Sequence, residues 1–288
     1  MIPDRKERID DLQRGGCRII QCPELFCFGM DAVLLSAWAQ VKSADRVLDL
    51  CTGNGIVPIL MDARLPEELR QEGSIHFTGV EINPVCVALT RRSALMNGQS
   101  ERICFLEGDI REICRAGAGQ ETSDRCRADA AAGIPDAAAG IPDVQAGMPG
   151  AACAGIAPGA FDVVTVNPPY MTGDGGLKGP SPERAIARHE VLCTMEDTAR
   201  AAARALRQGG HLYMVHRPHR LGDIFHALRK HGLGIGRMRM VHPFADKEAN
   251  LVLIDARKGG KMYVHVEAPL TVYRETGVYT EELKALYG

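Results

Sequence analysis

The sequence predicts an α/β protein built on a mostly parallel, doubly wound sheet. Three observations carry this prediction. Short apolar runs alternate with helical stretches from residue 46 to residue 231, the order that gives a parallel sheet with helices on both faces. A glycine turn, Gly53-Asn54-Gly55, follows the first of these runs. Two later apolar runs, 236–241 and 251–256, lie too close together for a helical crossover, so they must form an antiparallel pair.

The elements follow in order. Residues 46–50 read as a short buried strand and 55–65 as the helix after it. Residues 75–81 are a second strand. Pro84 opens the next helix at a favoured first-turn position, and Asn97-Gly98 closes it with residues that tolerate left-handed backbone. Strands follow at 103–106 and 161–166, then a helix at 195–207, a strand at 210–215 and a helix at 221–231. The terminal antiparallel pair completes the sheet.

One segment breaks this order. Across residues 115–160 the chain turns rich in Ala, Gly and Pro, and the seven residues from Ala130 to Asp136 recur unchanged from Ala137 to Asp143. A proline in each unit excludes a continuous helix, and one apolar residue per unit cannot build a core. This stretch is expected to be a disordered loop inserted in a single domain spanning 1–288. Loops tolerate such growth because closure entropy rises only logarithmically with length.

Composition narrows the class of function. The chain has 288 residues, and 45% are hydrophobic, enough for a full core. No apolar run approaches the roughly 18 residues of a membrane span. The first residues are charged and lack a signal-peptide apolar region, so a cytoplasmic location is expected. Ten cysteines include no Cys-x-x-Cys pair, and nine histidines show no zinc-ligand spacing. No metal is expected, and cysteines such as Cys86 and Cys104 read as buried free thiols. The net charge of −2 excludes a globally basic nucleic-acid binder. Between Arg204 and Pro243, however, eight Lys/Arg stand against a single acid, Asp223. Such a local basic face can bind phosphates, or it can be ordinary solvated helix surface.

The first three strands each end in an acid. Asp49 precedes the turn Cys51-Thr52-Gly53-Asn54-Gly55, Glu81 ends the second strand, and Asp109 follows the third. Any one of these could be a helix cap or a solvated loop residue. Three in register lie where open parallel sheets bind ligands. The glycines let a ligand approach the backbone and its free N–H groups. A nicotinamide dinucleotide would want G-x-G-x-x-G, and here Pro58 stands at the third glycine. Asp49 would also repel a pyrophosphate, whereas it suits a cofactor carrying ammonium and sulfonium groups.

The most specific signal follows the fourth strand, where residues 161–166 lead into Asn167-Pro168-Pro169-Tyr170. Pro168 restricts Asn167 to extended backbone. A rigid turn alone would explain an Asn-Pro pair, but not its place beside three acidic positions. The Asn167 side-chain oxygen and the rigid Pro168 carbonyl can accept the two N–H groups of an amine. Tyr170 offers a ring face to a base. Conjugated amino nitrogens are poor nucleophiles, so orientation toward an electrophilic methyl is the main requirement. No catalytic Ser, Cys or His is needed, because the methylated nitrogen loses its proton readily.

These motifs resemble Rossmann-like class I methyltransferases, which carry a seven-stranded, mostly parallel sheet with a terminal antiparallel pair and use S-adenosylmethionine. By that resemblance Asp49, Gly53 and Gly55 hold the methionine part, Glu81 the ribose and Asp109 the adenine. Asn167, Pro168 and Tyr170 are implied to be catalytic, with Pro169 at the substrate. Cys51 stands where such turns often carry glycine.

Further segments, Cys27-Phe28-Gly29-Met30-Asp31 through Leu35, Arg188-His189-Glu190, Ala268-Pro269-Leu270 and Tyr279, are similar to the bacterial tRNA (adenine-N6)-methyltransferase family. Apart from this resemblance, the first two read as a capped apolar helix and a charged helix start. The resemblance implies methylation of an adenine N6 beside a tRNA anticodon. Phe28 and Asp31 would close over the cofactor, and Arg188 and His189 would lie near the target nucleotide. Arg217 and Arg220, leaving the fifth strand at the same edge as Tyr170, are expected to bind RNA phosphates.

Rival functions share the Asn-Pro-Pro-Tyr motif. A protein-glutamine N5-methyltransferase would be expected to carry a helical N-terminal domain, and only about 45 residues precede the first strand. A ribosomal RNA guanine-N2 methyltransferase would often carry a duplicated domain. A non-catalytic RNA-binding module would have no need of the intact motif and three acids.

Overall fold

The computed structural model describes residues 6–25, 27–114, 156–170 and 193–287. The expected repetitive insert lies largely outside them. An N-terminal antiparallel hairpin, β1 (Arg8–Asp11) and β2 (Arg18–Gln21), leads into helix α1 (Met30–Trp38). Alternation then begins: β3 (Arg46–Leu50), α2 (Ile56–Arg64), α3 (Glu67–Glu72), β4 (His76–Glu81), α4 (Pro84–Met96), β5 (Ile103–Glu107) and β6 (Phe161–Val166). After the motif come α5 (Met195–Ala205), β7 (Leu206–His216), α6 (Leu221–Lys230), β8 (Leu233–His242), β9 (Leu251–Lys258) and α7 (Glu281–Tyr287).

The central sheet runs β5-β4-β3-β6-β7-β9-β8. All pairs from β5 to β7 are parallel, and β9 enters antiparallel between β7 and β8. The antiparallel pair is therefore where the sequence placed it. Two short segments, His265–Val266 and Leu270–Thr271, add along β8 and extend the expected seven strands to nine among the described residues.

Period-two alternation sorts side chains to the two faces. Val47, Phe77, Phe105, Val163 and Val215 pack with α1 and α2 on one side. Leu48, Leu50, Val80, Leu106, Val164, Val166 and Met214 pack with α5 and α6 on the other. Each such buried side chain contributes about 1.5–3 kcal/mol.

Local chemistry starts the helices. Asn83 caps α4, its side chain accepting from Val85 N–H at 3.0 Å, with Pro84 in the first turn. At α5, Thr194 and Asp197 form a reciprocal capping box. The α5 helix ends two residues earlier than its apolar pattern predicts. Leu206 turns extended because it pairs with Phe161 on β6, across a bulge, and strand pairing outweighs helical periodicity there.

The hairpin, α3 and the C-terminal segments carry no strong period and were not foreseen. Tertiary contacts hold the C-terminal part. Trp38 Nε1 donates to Glu267 at 3.1 Å, and Arg237 lies 4.1 Å over the Trp38 ring while pairing with Glu267 at 3.0 Å. Cys17 and Cys22 are buried free thiols, and Cys86 is buried. Cys104 is disulfide-bonded, which corrects the expectation of a free thiol at that position. Among the described residues, no helix is long and apolar enough to cross a membrane.

One buried carboxylate locks α2 to the entry of β5. Asp62, 1% exposed, accepts from Arg102 at 2.7 and 2.9 Å and from Gln99 at 2.9 Å. Asp62→Ala would leave the Arg102 guanidinium without its carboxylate and Gln99 with only the Ile59 carbonyl. A loss of about 3–5 kcal/mol in denaturant unfolding is expected.

Candidate active site

Parallel register brings the strand ends to one edge. Leu50 is paired with Val80 on one side and Val166 on the other. Each strand then delivers its candidate residue at the same level: Glu81 from β4, the glycine turn from β3, and Asn167 from β6.

The turn after β3 is tight. Cys51 has φ 55°, Gly53 φ 58° and Gly55 φ 76°, all in the left-handed region. This explains why glycine suits the first of these positions, and why Cys51 is costly there. Gly55 is doubly required, because a Cβ would meet Phe105 and Thr90 at 2.9 Å. Asn54 is buried and its Nδ2 donates to Gln21 at 3.2 Å.

Asp49 lies beneath this turn rather than on its surface. It is 2% exposed, and its two oxygens accept from Thr52 and Thr165 hydroxyls, each at 2.6 Å. Burial pushes its carboxyl up to about 7, against the lowering effect of the two threonines. Glu81 is built differently. One oxygen accepts Gly53 N–H at 3.0 Å and the other Asn83 N–H at 2.9 Å. Each oxygen keeps a lone pair for a further donor. Burial raises the Glu81 carboxyl in spite of these bonds. Asp109 is already engaged. Arg111 donates to it from its backbone at 2.9 Å and from its guanidinium. Burial would raise the Asp109 carboxyl, but the Arg111 bonds and charge outweigh it and hold it low.

At the motif, Asn167 and Tyr170 are half-buried and Pro168 is buried. The Tyr170 hydroxyl lies 2.7 Å from Asp31 Oδ2 and also bonds the Asn167 side-chain amide. The ring is held by its surroundings. Arg217 lies 5.0 Å over one face, and His216 meets it in a T-shaped contact at 5.0 Å. His216 is fully buried, and its Nδ1 accepts Arg217 N–H at 2.8 Å. Burial first, then the Arg220 charge, pushes it down to about 4, so it stays neutral.

The two arginines expected to bind phosphates sit elsewhere than on an open surface. Arg220 is 9% exposed and pairs with Asp223 at 2.8 Å. Its guanidinium also lies 3.5 Å from the Tyr170 backbone carbonyl. Arg217 covers Tyr170 and donates to the Asn250 carbonyl at 2.9 Å. Phe28 packs on the core at the start of α1, its N–H donating to Gln21 at 3.1 Å. Arg188 and His189 lie outside the described residues. Sequence reasoning did not single out Gln21, Thr52 or Thr165, and it placed His216 only within the basic segment 216–220. Their signal is spatial, and Thr165 in particular reads as an ordinary β-branched strand residue.

The fold and this strand-edge arrangement are those of the Rossmann-like class I methyltransferase fold. The chain aligns with the crystal structure of a predicted O-methyltransferase from Agrobacterium tumefaciens at a TM-score of 0.61, with 24% identity, covering 90% of this chain and 95% of the other. At that identity the likeness is one of fold. No protein-family model matches the chain. It is similar in sequence to the tRNA1(Val) (adenine(37)-N6)-methyltransferase of Phocaeicola vulgatus, 26% identical over 90% of this chain and 87% of the relative. It is also similar to that of Porphyromonas gingivalis, 24% identical over 94% and 88%. These relatives bear out the resemblance read from the motifs.

Two expectations follow from the turn and its buried acid. Cys51→Gly should fold at least as stably as the parent. Cys51→Val, β-branched at positive φ, should lose about 1–3 kcal/mol in denaturant titration. Asp49 has its folded value raised from 3.8 to about 7. The fold therefore favours the protonated form, and that stabilisation is lost as pH rises through this window. Melting temperatures should move in favour of Asp49→Asn over the parent between pH 4 and pH 7, with no further change above.

Proposed function

We propose that this protein transfers a methyl group from S-adenosylmethionine to the exocyclic N6 of an adenine in tRNA, adenine 37 of tRNA1(Val) being the target named for its relatives. One observation carries the chemistry. Asn167-Pro168-Pro169-Tyr170 leaves the central strand β6 at the level of the glycine turn after β3, with Asp49 bonded to Thr52 in that turn and to Thr165 in β6.

The residues present suit the cofactor. Glu81 has lone pairs left for both ribose hydroxyls after accepting Gly53 and Asn83. Asp49 is a buried carboxylate with hydroxyl donors only, and a nearby ammonium or sulfonium would stabilise its charge. The left-handed Gly53 and Gly55 allow close backbone approach. Phe28 and Asp31 stand at the start of α1 beside the motif. Asp109 would serve the adenine through its strand-end position and would share that role with its Arg111 partner.

When bound, S-adenosylmethionine supplies the electrophilic methyl. The protein's part is to orient. Asn167 and the Pro168 carbonyl accept the two N–H groups of the amine and direct its nitrogen for in-line attack. Pro169 lines the approach. Tyr170 would offer its ring to the base, and Arg217, 5.0 Å from the ring centre, can add its charge beside it. The methylated nitrogen then gives its proton to solvent. Neutral, buried His216 takes no part as a base. Arg188 and His189 remain candidates for contact with the target nucleotide.

Incubation with labelled cofactor and total tRNA, followed by nucleoside analysis, tests this. The expected product is N6-methyladenosine, reduced by about 10²–10³-fold in Asn167→Ala, the loss typical of removing one positioned hydrogen-bonding group. Labelled protein with unlabelled RNA would overturn the proposal.

A further inference from the structure

Tyr170 does more in this site than present a ring. Its hydroxyl sits between two groups that both accept as drawn: Asp31 Oδ2 at 2.7 Å and the Asn167 side-chain Oδ1. A phenol has one proton and can satisfy only one of them. A carboxylate accepts hydrogen bonds and cannot donate them. Asp31 lies in the first turn of α1, where the helix dipole favours a carboxylate, and its other oxygen accepts Ala32 N–H at 2.9 Å. The phenol proton therefore points to Asp31. Asn167 must then meet the phenol oxygen with its NH₂, which is allowed because amide N and O are assigned from the network rather than from position.

The surroundings hold this chain in place. The absence of a side chain at Gly29 leaves room for Asp31, since a Cβ there would stand 2.8 Å from its Oδ1. Arg217 and His216 fix the Tyr170 ring from the face and the side. Burial, followed by the Asp31 charge, keeps the phenol protonated.

We propose that Asp31 is a positioning residue: through Tyr170 it orients the Asn167 amide so that its oxygen, not its NH₂, faces the amino group to be methylated. This rests on the tRNA methylation proposed above. With the opposite orientation Asn167 would present N–H to N–H, and the amine would lose one of its two acceptors. The role differs from that implied by family resemblance, in which Asp31 closes over the cofactor.

The test uses Tyr170→Phe, Asp31→Asn, Asn167→Asp and the double variant Asp31→Asn/Asn167→Asp in the full chain. Tyr170→Phe keeps the ring and removes the relay. Asp31→Asn removes the bias, because an amide donates as readily as it accepts. Both should lower kcat by about 10–100-fold, as loss of an orienting partner does, with KM for tRNA and Kd for cofactor within about twofold of the parent. Asn167→Asp alone makes two carboxylates compete for one phenol proton. The double variant reverses the chain. The amide at position 31 donates to the phenol oxygen, the phenol donates to the carboxylate at position 167, and that carboxylate's other oxygen accepts from the amine. It should be at least about tenfold more active than Asn167→Asp.

Thermal unfolding of the same proteins without substrate gives a second readout. The double variant should melt higher than the sum of the single shifts allows, and this excess should vanish in a Tyr170→Phe background. Full activity in Tyr170→Phe overturns the relay. So does a double variant no better than Asn167→Asp, or a defect confined to cofactor affinity in Asp31→Asn. Parent protein that leaves tRNA unmethylated while the unfolding excess persists would sink the function and keep the relay.

Discussion

The site depends on one buried carboxylate. Asp49 bonds Thr52 in the turn after β3 and Thr165 in β6. Thr165 lies two residues before Asn167. A single side chain thus ties the backbone that would hold a cofactor to the strand that carries the reactive motif. The parallel pairing of Leu50 with Val80 and Val166 sets the level of the strand ends, and Asp49 fixes the turn against them. Burial makes this connection costly when the carboxylate is ionised. A ligand that brings positive charge nearby would repay that cost.

Around this anchor the charges are distributed by partnership. The basic run between Arg204 and Pro243 looks like a phosphate-binding face when read along the chain. In the fold much of it is neutralised by acids from distant segments. Arg207 pairs with Asp162, Lys230 with Glu196, Arg237 with Glu267, and Arg239 with Glu282. Arg220 is enclosed with Asp223, and Arg217 covers Tyr170. Six of the eight basic residues in the run are thus engaged with partners inside the fold.

The central fold was legible because its signals are local. The bounds of β6 follow directly from an apolar run ending in two prolines. Helix α4 is marked at both ends by Asn83-Pro84 and Asn97-Gly98. Strands β8 and β9 follow from the short connection between them. The hairpin of β1 and β2 was not legible. Its four-residue strands alternate weakly, and Ile19 and Ile20 are both buried on opposite faces. The start of β7 at Leu206 was missed because its partner, Phe161, lies far away in the chain.

The sequence by itself determined the order of elements, the three acid positions and the Asn-Pro-Pro-Tyr motif at a strand end. Each of these is a matter of residue type and spacing, so periodicity, turn chemistry and resemblance could find them. Only the tertiary structure decided how those residues are used. It put Asp49 under the turn, gave Asp109 an arginine partner, enclosed Arg220, and brought Asp31 to the Tyr170 hydroxyl across 139 positions of sequence. The physical reason is that a hydrogen bond depends on distance and on which partner holds the proton, and both are settled only when distant segments pack together.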